Sequence, residues 1–137
     1  MPYQITSENR GIYIKLEGVI TFKDVRRAAA DGWEHENRDS NIYQIWDYRN
    51  TFEFEVELLE TALAARMDNI AFSNIGIFTK IAVIADLNEI IDKYKSYQKY
   101  LDHTLVEANI FKEEEQAREW VAKREVSKYY WGLSCSS

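Results

Sequence analysis

Five consecutive apolar residues, Ile81-Ala82-Val83-Ile84-Ala85, constrain this chain more than any other feature. The run is too short for a helix of ordinary length and too uniform for a strand with one wet face. It reads as a strand buried on both faces, the habit of parallel sheets covered by helices. A second run, Ile42-Tyr43-Gln44-Ile45-Trp46, ends at Asp47 and reads the same way, so the two are expected to be adjacent central strands.

The neighbouring patterns supply the rest of such a sheet. Tyr3–Thr6 and Gly11–Glu17 read as a hairpin across the polar turn Ser7–Arg10, because Ile12, Ile14 and Leu16 alternate with Tyr13, Lys15 and Glu17. Gly18-Val19-Ile20 leads to Thr21, which stands three residues before Asp24 in the pattern of a capping box. Behind it Val25, Ala28, Ala29 and Trp33 lie on one helical face. Residues 51–58 satisfy both periods; the reading is an extended lead-in followed by a helix from about Glu55 to Phe72. Asp86, with Glu89 at the third position, is expected to cap a helix whose buried stripe is Ile90, Tyr94, Tyr97 and Leu101. Glu107–Phe111 reads as a last strand, and Glu113–Lys123 as a last helix buried through Ala117, Trp120 and Val121. The order β-β-α-β-α-β-α-β-α implies an α/β domain: one mixed, largely parallel sheet of four or five strands with an N-terminal hairpin. About four helices should pack on it, mainly on one face.

Composition narrows the function classes. The length, 137 residues, suits one domain, and 46% apolar content excludes a disordered chain. Lys and Arg number 17 against 23 Asp and Glu, giving −6, a poor balance for nucleic acid. A single cysteine, Cys135, cannot form an internal disulfide. No signal-like start and no long apolar run is present, so a cytoplasmic protein without a membrane span is expected. Gly-rich phosphate loops and the Gly-x-Ser-x-Gly elbow are absent, and the glycines are scattered. No cofactor is expected.

The order of elements and several local patterns resemble the SpoIIAA-like family, of the wider STAS-like fold (sulfate transporter and anti-sigma factor antagonist). The pieces that carry the likeness are Gly18–Asp24, Ile45–Arg49, Lys80–Ile84, and Ile110-Phe111 followed by Glu115–Val121. The resemblance implies residues 1–124 as the domain, 125–137 as a C-terminal aromatic extension with a frayed end, and a non-enzymatic binding or regulatory module. Anti-sigma factor antagonists of this kind switch through a phosphorylated serine in an Asp-Ser pair after the central strand. Here Tyr48–Glu55 contains no such pair, and Asp39-Ser40 lies before the strand, so the phosphoswitch is expected to be missing. The group also resembles CRAL-TRIO lipid-binding domains, which implies hydrophobic ligand binding, but no residue matches a ligand site by that route.

Three places carry candidate chemistry. In open α/β sheets ligands sit beyond the carboxyl ends of the strands where strand order reverses, which would gather Asp47, Tyr48, Arg49, Asp86, Asn88 and Lys112. Asp47 and Asp86 could share acid–base work or a hard cation, or simply form caps and turns. Phe52, Glu53, Phe54 and Glu55 could form an acidic-aromatic docking edge for a basic partner, or an ordinary solvated face. Tyr129, Tyr130 and Trp131 must bury their rings, either on their own domain or across a homodimer. His35-Glu36-Asn37-Arg38-Asp39 lacks the second histidine of a zinc helix, and His103 has no partner pattern, so no metal is expected. The readings that remain are docking of a protein partner, carriage or sensing of a small apolar, lipid-like ligand, and an unrecognised enzyme using Asp47 and Asp86.

Overall fold

The computed structural model describes residues 2–34 and 41–123. The His35–Asp39 segment and the Tyr129-Tyr130-Trp131 cluster therefore lie outside the described residues. The elements are β1 (Tyr3–Ser7), β2 (Gly11–Thr21), α1 (Phe22–Trp33), β3 (Tyr43–Glu55), α2 (Leu58–Ile75), β4 (Thr79–Ile84), α3 (Asn88–Tyr100), β5 (Val106–Phe111) and α4 (Glu114–Ala122). The sheet order is β1-β2-β3-β4-β5, antiparallel only between β1 and β2. Ile45 pairs with Ala82 and Trp46 with Val83, so the two apolar runs are neighbours, as expected.

Handedness explains where the helices go. Crossovers between parallel strands are right-handed almost without exception, and here the strands succeed one another in a single direction. Consequently α1, α2 and α3 all land on the same face. There Ile14, Leu16, Trp46, Tyr48, Val83 and Val106 meet Ala28, Ala65, Phe72, Ile90 and Tyr94 in the main core. After β5 no crossover remains, and α4 folds onto the opposite face. Its Ala117 and Val121 cover Ile45, Ala82 and Ile84 in a second, smaller core. Helix α2 packs mainly along α3 and has few backbone neighbours among the strands.

Two helix starts differ from the sequence reading. The extended lead-in to α2 is the continuation of β3, and α2 begins at Leu58 rather than at about Glu55, with a capping box between Glu57 and Glu60. Thr51, Glu53, Phe54 and Glu55 keep pairing with β2, which delays the helix. Asp86 does not cap α3: Leu87 occupies that position without a side-chain bond, and Asp86 is exposed. The expected capping box at Thr21 does form, with the Thr21 hydroxyl 3.2 Å from the Asp24 amide that donates to it.

Pairing between β2 and β3 carries two register shifts, each with the extra residue in β3. Gly18 pairs with Thr51 and Val19 with Glu53, so Phe52 has no partner and turns outward. Strand β4 pairs with β3 only as far as Asp47. The second half of β3 thus has a strand on one side alone.

Ile45 and Val83 are wholly buried, one in each core. Ile45→Ala should cost roughly 2–4 kcal/mol through lost transfer energy and a cavity. Val83→Ala should cost less but remain measurable. Denaturant unfolding checks both, and wild-type stability in either variant would contradict the two-core architecture.

Candidate functional site

Strand order never reverses in this sheet, so the crevice that such a reversal creates is not built. The residues expected at that edge are dispersed instead. Along β3 alternate side chains leave opposite faces. Tyr48 enters the main core, where its hydroxyl lies 2.5 Å from that of Tyr94. Asp47 faces α4 and is buried. Asp86 stands in solvent with Lys112 3.9 Å away, a pair too exposed to contribute much. Asn88 opens α3 and is exposed. Asp47 and Asp86 therefore share no partner and do not form an acid–base pair.

Asp47 belongs to a chain of alternating charges. Its Oδ1 accepts from Arg49 Nε at 2.9 Å, and its Oδ2 from Arg49 Nη2 at 2.7 Å and from the Tyr13 hydroxyl. Arg49 also donates to Glu114 at 2.9 Å, Glu114 accepts from Arg118 Nε at 2.7 Å, and Arg118 grips both oxygens of Glu8 at 3.0 and 2.9 Å. Tyr43 donates its hydroxyl to Glu8, and the Arg118 guanidinium lies 5.6 Å from the centre of the Tyr13 ring. Burial works to raise the Asp47 pKa, but the hydrogen bonds from Arg49 and Tyr13 prevail and lower it. Glu8 and Glu114 are held low chiefly by Arg118. Burial, then the hydrogen bond to Asp47, pushes the Tyr13 phenol up to about 12. The network ties the β1–β2 turn, β2 and β3 to α4.

Its linkage to pH has a definite sign. Carboxylates with lowered folded pKa contribute stability that is present above their unfolded values and lost as pH falls through the folded ones. Stability should fall below about pH 4.5, where ordinary carboxylates begin to protonate. Arg118→Met should reduce stability at pH 7 and flatten this acid limb. Denaturant titrations at pH 7 and pH 3 test it, and an unchanged acid limb in the variant would mean that the chain of charges is not coupled to folding.

The acidic-aromatic edge divides. Phe54 is a core residue, its ring edge-on to Tyr48 with centroids 5.4 Å apart, so it cannot meet a partner at the surface. Phe52 is 70% exposed. Glu53 and Glu55 flank it in solvent; the hydrogen bond that a protonated Glu53 donates to Glu55, together with their mutual repulsion, raises the Glu53 pKa. Three residues beyond Glu55 begins α2, which is apolar on both faces. Thr61, Ala64, Ala65, Asp68 and Phe72 are buried, while Leu58, Leu59, Leu63, Met67 and Ile70 are exposed.

Between α1–α3 and the sheet lies a cavity of about 40 Å³, walled by Trp33, Trp46, Phe54, Phe72 and other apolar groups. Sequence reasoning allowed an apolar ligand but named none of the charged residues that line this cavity. Asp68 projects into this wall from α2, accepting from Arg26 Nη1 at 3.1 Å and from the Tyr97 hydroxyl at 2.5 Å. Burial nonetheless raises its pKa, outweighing both donors. Lys93 closes one side and donates to the Val56 carbonyl. A signal was available: Phe22, Arg26, Ala29 and Trp33 form one stripe at steps of four, three and four, with an arginine inside it. Thr61, Ala65, Asp68 and Phe72 repeat the same steps with an aspartate inside.

A mixed five-stranded sheet with three crossover helices on one face and α4 on the other is the frame of the likeness noted above. The model of the SpoIIAA-like family matches residues 11–122, from β2 through α4. The chain belongs to the SpoIIAA-like family. A crystal structure of an uncharacterized protein with a SpoIIAA-like fold from Shewanella loihica is similar to this SpoIIAA-like chain at 13% identity and a TM-score of 0.46. That likeness covers 88% of this chain and 92% of the other. No curated protein matches it. Among the described residues no helix is long and apolar enough to cross a membrane.

Proposed function

We propose that this SpoIIAA-like chain is a non-catalytic binding module that docks a protein partner through the Phe52–Glu55 stretch of β3. The observation that carries the reading is Phe52, expelled by a bulge to 70% exposure between two exposed carboxylates. A large ring in water beside like charges is what a basic, partly apolar partner would cover. The backbone supports the same use. Beyond Asp47 this half of β3 has no strand on the β4 side, and an unpaired edge can accept an added strand. The carboxylates supply charge complementarity, and Phe52 supplies the anchor.

The phosphoswitch of the better-known antagonists has no counterpart in this reading. Thr51, the nearest aliphatic hydroxyl after the central run, is buried within β3 and donates to the Leu16 carbonyl at 3.1 Å. An anti-sigma-type kinase should leave Thr51 and Ser73 unmodified. Stoichiometric phosphate on Thr51, read by mass spectrometry, would restore a switch and overturn that part of the proposal.

A photo-crosslinking residue at position 52, expressed in the protein's own cells, tests docking directly. One discrete adduct is expected, lost in the Glu53→Lys/Glu55→Lys double variant and absent when the crosslinker sits at exposed position 119 on α4. Identical adducts from both positions, or none from position 52, would sink the docking surface.

A second reading, an apolar ligand held between helices and sheet, is favoured by one observation. The cavity lies under α2, whose outer face is also apolar and whose backbone rides on α3. Native mass spectrometry of protein from its own cells should then show a small bound mass that organic extraction removes.

A further inference from the structure

The cavity under α2 has three charged side chains among its apolar walls: Arg26, Lys93 and Asp68. Two positive charges against one negative leave these walls at +1, in a chain whose overall charge is −6. The one carboxylate is already occupied, because Asp68 accepts from both Arg26 Nη1 and the Tyr97 hydroxyl. The donors are not used up. Arg26 Nε is buried with no hydrogen-bond partner among the described residues. Buried N–H groups are rarely left so, since the lost solvation is not repaid. Lys93 donates to the Val56 carbonyl, and an ammonium carries three donors. An open groove shares Phe22 and Arg26 with the cavity. It brings Lys23 and Arg27 of α1 to its rim, facing Glu55 and Glu60.

An apolar chamber with surplus charge of +1 and a free guanidinium donor lacks one thing, an acceptor that carries a single negative charge. We infer that the cavity is a site for a small apolar carboxylic acid. Its carboxylate accepts from Arg26 Nε and Lys93, and its body lies against Trp33, Trp46 and Phe72. The inference rests on the second reading above, which supplies the chamber, and adds the head group. At about 40 Å³ the chamber holds roughly three waters. A longer body enters by displacing α2, which is held along α3 and has few backbone neighbours in the sheet.

Calorimetric titration of the whole protein with decanoate and with 1-decanol at pH 7.5 separates head from body. Decanoate should bind at least about tenfold more tightly than the alcohol, the scale of a charge-assisted hydrogen bond in a dry site. Arg26→Gln and Lys93→Met paired with Asp68→Asn, which together leave no charge in the walls, should bring the acid down to the alcohol. Ala64→Phe should fill the chamber and abolish both; should its melting curve show that it does not fold, Ala29→Leu serves instead. Leu59→Ser/Leu63→Ser, on the outer face of α2, should change neither. Equal affinities for acid and alcohol, with both lost in the filled variant, would overturn the head group and leave the chamber standing. No binding of either molecule to the folded protein would overturn the chamber as a ligand site, and this inference with it. Binding lost only in the Leu59→Ser/Leu63→Ser variant would place the ligand on the surface and overturn both.

Discussion

Right-handed crossovers give each helix between parallel strands only one face to land on, and here three of them must land on the same one. The crowding has consequences. Helices α1 and α3 take the sheet beside β2 and β5, and α2 is left leaning on α3 with a chamber beneath it. Among the described residues the other face receives only α4, which covers β4 and its immediate neighbours. The part of β2 and β3 that α4 does not cover is closed by the charge chain from Asp47 through Arg49, Glu114 and Arg118 to Glu8. Both the candidate ligand chamber and the ionic clasp follow from one rule of chain handedness.

Two buried aspartates show how donor supply sets behaviour in such an interior. Asp47 receives both nitrogens of one arginine fork, a backbone amide and a phenol, and its pKa is lowered. Asp68 receives one arginine nitrogen and one phenol, and burial wins. The first is a closed structural account, with each oxygen engaged. The second is held by a guanidinium whose Nε has no partner among the described residues, so the chamber keeps chemistry to spare.

Most elements could be read in advance because their patterns are local. The capping box at Thr21, the stripe of Ile90, Tyr94, Tyr97 and Leu101, and the alternation of Ile12, Ile14 and Leu16 each depend on neighbours within one turn or one strand. Reading failed where long-range pairing competed with local preference. Helix α2 starts about three residues later than read because β2 pairs with β3 as far as Glu55, and Asp86 lost its capping role to Leu87. The expected ligand crevice failed for a topological reason: local sequence does not state strand order. Arg26 and Asp68 were visible as charges within apolar stripes, but only their meeting across α1 and α2 made them a pair.

The amino-acid sequence by itself determined the class of the fold. Runs buried on both faces demand helices above and below, and alternating strand and helix patterns leave few ways to connect them. It determined the residues of both cores to good measure, because hydrophobic period is a property of consecutive positions. Tertiary structure decided which of those positions became available for function. A bulge in the β2–β3 register turned Phe52 outward while Phe54, two residues on, went into the core. Packing of α2 on α3 left an apolar face in solvent and a charged chamber behind it. The physical reason is that register, crossover hand and helix support are set by contacts between distant segments, and no window of sequence contains them.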